Sequence, residues 1–169
     1  MNKSEIETLI KDAFCGVRLG KGCSLREAET ADNWGESGPE EDLDTFPDVE
    51  TEDDWAALSL QTLDRYPYLA HMDAEGFRYY IPAFMLSLLA DDDRSSMRAI
   101  CTLSLLYPSR KEADLEAWNY HMGMYDLLNG KQRAAIASFL DTLPSIAEID
   151  PGDAKGIERA LRNYWHQFL

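Results

Sequence analysis

Helix-capping side chains recur along this chain, and each is followed by apolar residues at helical spacing. The capping candidates are Ser4 with Glu7, Ser24 with Glu27, Asp73, Asn129 and Asp150. Side-chain oxygens at such positions accept hydrogen bonds from the backbone amides that the first turn of a helix leaves unbonded. The pattern predicts a mainly α protein, a compact bundle of about six or seven helices in one domain over residues 1–169.

The central helix is expected to follow Asp73, where apolar residues cover nearly every helical direction. Pro82 should kink or divide this helix, because proline lacks a backbone donor and crowds the preceding turn. The segment from Ser95 to Tyr107 fits either a helix capped by Ser95 or a strand, and we favour the helix.

The other helices carry weaker signals at their ends. A helix that follows Ser24 should end near Asp32, and a short helix is predicted from about Asp53 to Tyr66. After Tyr107, an irregular helix interrupted at Gly123 is predicted. Pro144 should end the helix that follows Asn129. The apolar stripes of the last two helices are Ile136, Phe139, Leu140 and Leu143, then Ile157, Leu161, Trp165 and Phe168.

Acidic residues are concentrated between Glu27 and Asp54, where 13 acidic and no basic side chains occur. Glycine and proline interrupt regular structure there, at Gly35, Gly38, Pro39 and Pro47. We therefore predict a long acidic loop over about 33–54, pinned to the helices by apolar side chains. The candidate anchors are Trp34, Leu43, Phe46, Val49 and Trp55.

The formal net charge of −15 argues against direct binding to nucleic acid, which depends on basic side chains that neutralise phosphates. A basic protein is the more plausible partner, although a charged loop that only keeps the protein soluble is the plainer alternative. The predicted partner-binding residues are Glu40, Glu41, Asp42, Asp44, Phe46, Asp48, Glu50, Asp53 and Asp54.

We expect a cytoplasmic protein without a membrane segment. The three cysteines fit neither a disulfide framework nor a zinc cluster, and no apolar run is long enough to span a bilayer. The three histidines are scattered, so no metal, cofactor or catalytic residue is predicted. Asp91, Asp93 and Ser95 alternate like a calcium loop, but the glycine and glutamate that such a loop requires are missing.

The most distinctive string is EGFRYY, at 75–80. Together with Asp73, it supplies a second candidate binding site, Asp73, Glu75, Arg78, Tyr79 and Tyr80. Arg78 offers a planar fork of donors, and the tyrosines combine apolar rings with hydroxyls. The alternative is structural: the arginine bonds to protein groups while the tyrosines fill the core.

Four strings stand out together: AFCGVRLGKGCSLREAETADNW (13–34), DDW (53–55), DAEGFRYYIPAFM (73–85) and YDLLNGKQRAAIASFL (125–140). They resemble a family of small uncharacterised bacterial proteins, over most of the chain from Phe14 to Leu140. The tail after Leu143 lies outside the resemblance. This resemblance implies a bacterial, cytosolic, single-domain protein and carries over no activity, cofactor or catalytic residue.

Three functional hypotheses follow. The first is a protein-binding module, such as an acidic inhibitor or immunity-type protein that covers a basic surface of a toxin or nuclease. The second is an enzyme whose site is assembled from dispersed residues, namely His71, Asp73, Glu75, Arg78 and His121. The third is a structural or homo-oligomeric helical protein, which an apolar patch around Trp165 and Phe168 would indicate.

Overall fold

The computed structural model describes residues 1–32, 54–91, 93 and 95–169. These residues form eight α-helices and three short 3₁₀ helices without a strand, which confirms a mainly helical fold with more helices than expected. The α-helices are α1 (Lys3–Ala13), α2 (Leu25–Asp32), α3 (Leu60–Arg65), α4 (Ala74–Ala90), α5 (Met97–Leu105), α6 (Leu115–Tyr125), α7 (Gly130–Ile146) and α8 (Pro151–Asn163). The 3₁₀ helices are Trp55–Ala57, Leu69–His71 and Trp165–Phe168.

Helix α4 is the centre of the fold, as its apolar sequence predicts. It packs against α1, α5, α6 and the 3₁₀ helix at Trp55–Ala57. Phe77, Ile81, Phe84 and Leu88 are fully buried. The predicted division at Pro82 does not occur, and α4 continues through this buried proline as one helix. Burial on all sides of the helix offsets the one backbone hydrogen bond that proline cannot make.

Helix α7 forms the second half of the core, between α1 and α8. Its predicted stripe of Ile136, Phe139, Leu140 and Leu143 is fully buried. The predicted end at Pro144 is wrong, since α7 continues to Ile146. In the last turn a proline removes one hydrogen bond without stopping the residues that follow it.

Most capping predictions are confirmed by hydrogen bonds. Ser24 and Glu27 form a reciprocal capping box at 2.8 and 3.2 Å. Asp73, Asn129 and Asp150 cap α4, α7 and α8 as expected.

Two predicted caps are wrong by one or two residues. Asn2 and Glu5 cap α1 in place of Ser4 and Glu7, since asparagine caps as well as serine and this choice lengthens the helix. The predicted cap at Ser95 is replaced by Ser96, whose hydroxyl accepts a hydrogen bond from the Ala99 amide. The strand alternative for this segment is excluded, because Met97–Leu105 is helical.

The C-terminal part differs from the prediction in two places. Helix α6 runs through Gly123 to Tyr125 without interruption. Helix α8 ends at Asn163, and Trp165 lies on the following 3₁₀ helix. There the fully buried Trp165 donates from Nε1 to the Leu106 carbonyl at 2.9 Å. Trp165 is therefore part of the core and adds nothing to a surface patch with Phe168.

Across the described ranges, no helix is long and apolar enough to cross a bilayer.

Candidate functional site

The predicted acidic binding residues lie outside the described residues, except for the last one. The undescribed ones are Glu40, Glu41, Asp42, Asp44, Phe46, Asp48, Glu50 and Asp53. Asp54 is exposed, and its carboxylate accepts a hydrogen bond from the Ala56 amide at 2.9 Å. It caps the 3₁₀ helix at Trp55–Ala57. Its charge is therefore at the surface, at the last residue of the acidic stretch.

Trp55, a predicted anchor, is confirmed as one. Its side chain is buried, and Nε1 donates to the Phe14 carbonyl at the end of α1 at 3.0 Å. The 3₁₀ helix that carries it also packs on α4. Trp55 therefore holds the chain against the helical core immediately after Asp54.

The EGFRYY motif divides between capping and core roles. Asp73 Oδ1 accepts from the Gly76 amide at 2.8 Å and from the Cys23 amide at 3.1 Å. Tyr79 and Tyr80 are buried, with their rings edge to face at a centroid distance of 4.8 Å. Both tyrosine rings therefore belong to the core.

Arg78 and Glu75 are half-buried on the same helix. The Nε of Arg78 is enclosed and has no hydrogen-bond partner among the described residues. Capping accounts for Asp73 and burial in the core accounts for the two tyrosine rings, so Arg78 and Glu75 are the motif residues to which the described contacts give no structural role.

Gly76 permits a close backbone contact with another part of the same chain, the loop that contains Gly22 and Cys23. A Cβ added at Gly76 would lie 2.5 Å from the Cys23 carbonyl oxygen, and one at Gly22 would lie 2.6 Å from the Gly76 nitrogen. The loop before α2 therefore packs directly on the first turn of α4. In the capping box beside it, hydrogen bonds with the Ser24 backbone and side chain lower the pKa of Glu27, against weaker opposing effects of desolvation and of the charge on Asp73.

The two histidines of the dispersed-enzyme hypothesis lie on different helical elements. His71 is exposed at the end of a 3₁₀ helix, two residues before the capping Asp73. His121 Nδ1 lies 2.8 Å from the Ala117 carbonyl oxygen on its own helix, and its ring packs against Tyr120 and Tyr125. The three cavities described in this structure are lined by other residues.

A buried cation that the sequence reasoning missed lies between α3, α4 and α5. Arg98, on α5, is 1% exposed and donates to Asp64 at 2.7 Å, Asp91 at 2.6 Å and Ser87 Oγ at 2.8 Å. The sequence does carry a sign of this role: Arg98 is the only charged residue of helix α5, and a charge that is buried with such a helix must be paired. These bonds join three helices.

No group of three or more His, Cys, Asp or Glu side chains in the described part of the chain is arranged to hold a metal ion.

Comparison with known proteins completes this description. No curated protein and no solved structure matches the chain. One family model, described as a family of unknown function (DUF6714), matches residues 2–169. The match includes the tail after Leu143, which the earlier resemblance left out. The chain therefore belongs to the family of unknown function DUF6714.

Proposed function

We propose that this protein is a protein-binding module that holds a basic surface of a partner with residues Glu40 to Asp54 of its acidic segment, Glu27 to Asp54. The observation that carries the proposal is the separation of charge along the chain. The segment has 13 acidic and no basic side chains, whereas the remaining residues have 18 acidic and 16 basic ones. The rest of the chain is therefore close to neutral, and the charge available for attraction belongs to this one stretch.

The helical frame supports the proposal by fixing residues at both ends of the stretch. Helix α2 begins at a complete capping box and packs against the 3₁₀ helix at Leu69–His71. At the other end, Trp55 is tied to Phe14. Anchored ends reduce the conformational entropy that a connecting segment loses when it binds.

Electrostatic attraction of this kind acts mainly on the association rate. Oppositely charged surfaces steer diffusional encounters, and Phe46 supplies apolar area for a short-range contact. An acidic inhibitor or immunity-type protein that covers a basic toxin or nuclease surface is the most concrete form of this function. We place it in the bacterial cytoplasm, where the three cysteines, present as thiols, would stay reduced.

The proposal is tested by affinity capture from the bacterial host at low and high salt. The bait is the full chain, compared with a variant carrying Glu40→Gln, Glu41→Gln, Asp42→Asn and Asp44→Asn. We expect the wild type to retain a basic protein at low salt that the variant retains weakly or not at all, because the attraction between exposed charges is screened by salt.

A matched control removes the same charge from the helical frame instead. Its substitutions are Glu116→Gln, Asp126→Asn, Asp141→Asn and Glu148→Gln, all at exposed positions. The control should capture the partner as the wild type does. Equal capture by all three baits, or capture that does not respond to salt, would contradict the acidic segment as the binding surface.

A further inference from the structure

A cleft lined by arginines lies between the turn after α5 and helix α8. Its deeper part has a volume of about 350 Å³ and is bounded by Arg110 on the turn and by Arg159 and Arg162 on α8. An adjoining cavity of about 560 Å³ shares Arg110 and Arg162 and extends to Lys111 and Trp118. Volumes of this size are typical of small-molecule sites.

The walls of the cleft are held in place by specific contacts. Asn163 Nδ2 donates to the Pro108 carbonyl at 3.0 Å, which ties the turn to α8. Gly156 lets the Tyr107 ring lie directly on the helix, since a Cβ there would meet the ring at 2.6 Å. Burial and the neighbouring Asp153 raise the pKa of Tyr107, so that its hydroxyl stays protonated. The cleft is thus formed by packed elements.

The cleft carries an excess of positive charge in an acidic protein. Four cations, Arg110, Lys111, Arg159 and Arg162, face two carboxylates, Glu112 and Asp114. Asp114 is engaged by the Ala117 amide at 2.9 Å as the cap of α6.

The arginines of the cleft are largely uncommitted. Within the part of the chain that the structure describes, Arg110 and Arg159 make no ion pair, and Arg162 makes an exposed one with Glu158 at 3.5 Å. Their guanidinium groups are therefore available to a ligand.

We propose that this cleft binds a nucleotide, with its phosphates between Arg110, Arg159 and Arg162 and its base against Trp118. Guanidinium forks match phosphate oxygens in geometry and charge, and three of them suit a multiply charged phosphate chain. The indole of Trp118 is half-buried and offers a flat surface for a ring at the other end. None of the residues that line this cleft belongs to the acidic segment, and the proposal does not depend on the function proposed above.

Isothermal titration of the full chain tests the proposal with three probes: adenosine triphosphate, inorganic pyrophosphate and adenosine. The triphosphate should bind most tightly, pyrophosphate more weakly and adenosine weakest, and added salt should weaken the first two. Arg159→Gln should reduce triphosphate and pyrophosphate affinity roughly tenfold, the effect of losing one charge-assisted hydrogen bond. Trp118→Leu should reduce triphosphate affinity and leave pyrophosphate affinity unchanged.

Lys155→Gln is the matched control, because it removes a cation from the same helix at an exposed position outside the cleft. It should bind all three probes as the wild type does. Absence of binding by every probe, or an equal loss in Lys155→Gln and Arg159→Gln, would overturn the site. Equal binding of pyrophosphate and triphosphate, unaffected by Trp118→Leu, would overturn its assignment to nucleotides. Binding by an acidic peptide with none by the three probes would likewise overturn it.

Discussion

Arg98 places a positive charge in the interior of a protein whose net charge is −15. Its three side-chain partners come from α3, α4 and the residue after α4, so one guanidinium joins α3 and α4 to α5. A buried charge that loses its partners is strongly unfavourable, and so are partners that lose the charge. Arg98 is therefore a structural residue.

We expect Arg98→Met to lower the free energy of unfolding by about 3 kcal/mol, because it removes the three hydrogen bonds of a buried guanidinium and leaves the partly buried Asp91 without its cation. Urea denaturation measures this loss. The control is Arg162→Met, whose ion pair with Glu158 is exposed on both sides and should contribute less than about 0.5 kcal/mol. Similar losses in the two variants would contradict the role of Arg98.

Glu27 is a residue whose contribution depends on pH. Its pKa is lower in the folded protein than in the unfolded chain, so its stabilisation is complete above the unfolded value, about 4.3, and is lost as the pH falls through the folded value. The difference in the free energy of unfolding between the wild type and Glu27→Gln should therefore be larger at about pH 7 than at about pH 3. Chemical denaturation at both pH values measures it. Glu148→Gln, at an exposed loop position, should show no such change.

The junction between the loop before α2 and helix α4 depends on two glycines that face each other, Gly22 and Gly76. Gly76→Ala should lower the free energy of unfolding by about 2 kcal/mol, because the new methyl group meets backbone that cannot move aside cheaply. Gly123→Ala, in α6, is the matched control, since a Cβ there meets nothing within 4 Å. It should be neutral or stabilising by about 0.5 kcal/mol. Thermal and urea denaturation of both variants compare them, and equal effects would show that the close approach is unimportant.

The helices whose starts depend on nearby residues could be predicted, and those that depend on distant ones could not. The box at Ser24 and Glu27 and the caps at Asp73 and Asn129 are made within one turn, so sequence is sufficient. A division at Pro82 was the wrong alternative, because the burial that keeps α4 continuous comes from other helices. The sequence could not decide between Asn2 and Ser4, because asparagine and serine cap helices about equally well.

At the scale of the whole molecule, the two proposed sites differ in how much of each could be predicted from the sequence. The acidic segment is contiguous in sequence, so its charge could be counted directly. The arginine cleft joins Arg110 to Arg159 and Arg162 only because α8 packs beside the turn after α5, which no local pattern reveals. Together, the two proposals predict that one small protein binds a basic partner and an anionic ligand at different residues.

We propose that the acidic segment captures a basic partner by long-range attraction. Stopped-flow measurement of the association rate with the captured partner, over a range of salt concentrations, tests this mechanism. At low salt, the variant neutralised at Glu40, Glu41, Asp42 and Asp44 should associate about tenfold more slowly than the wild type, and the gap should close as salt screens the charges. The frame variant should match the wild type throughout. Identical rates for wild type and segment variant at every salt concentration would contradict the claim.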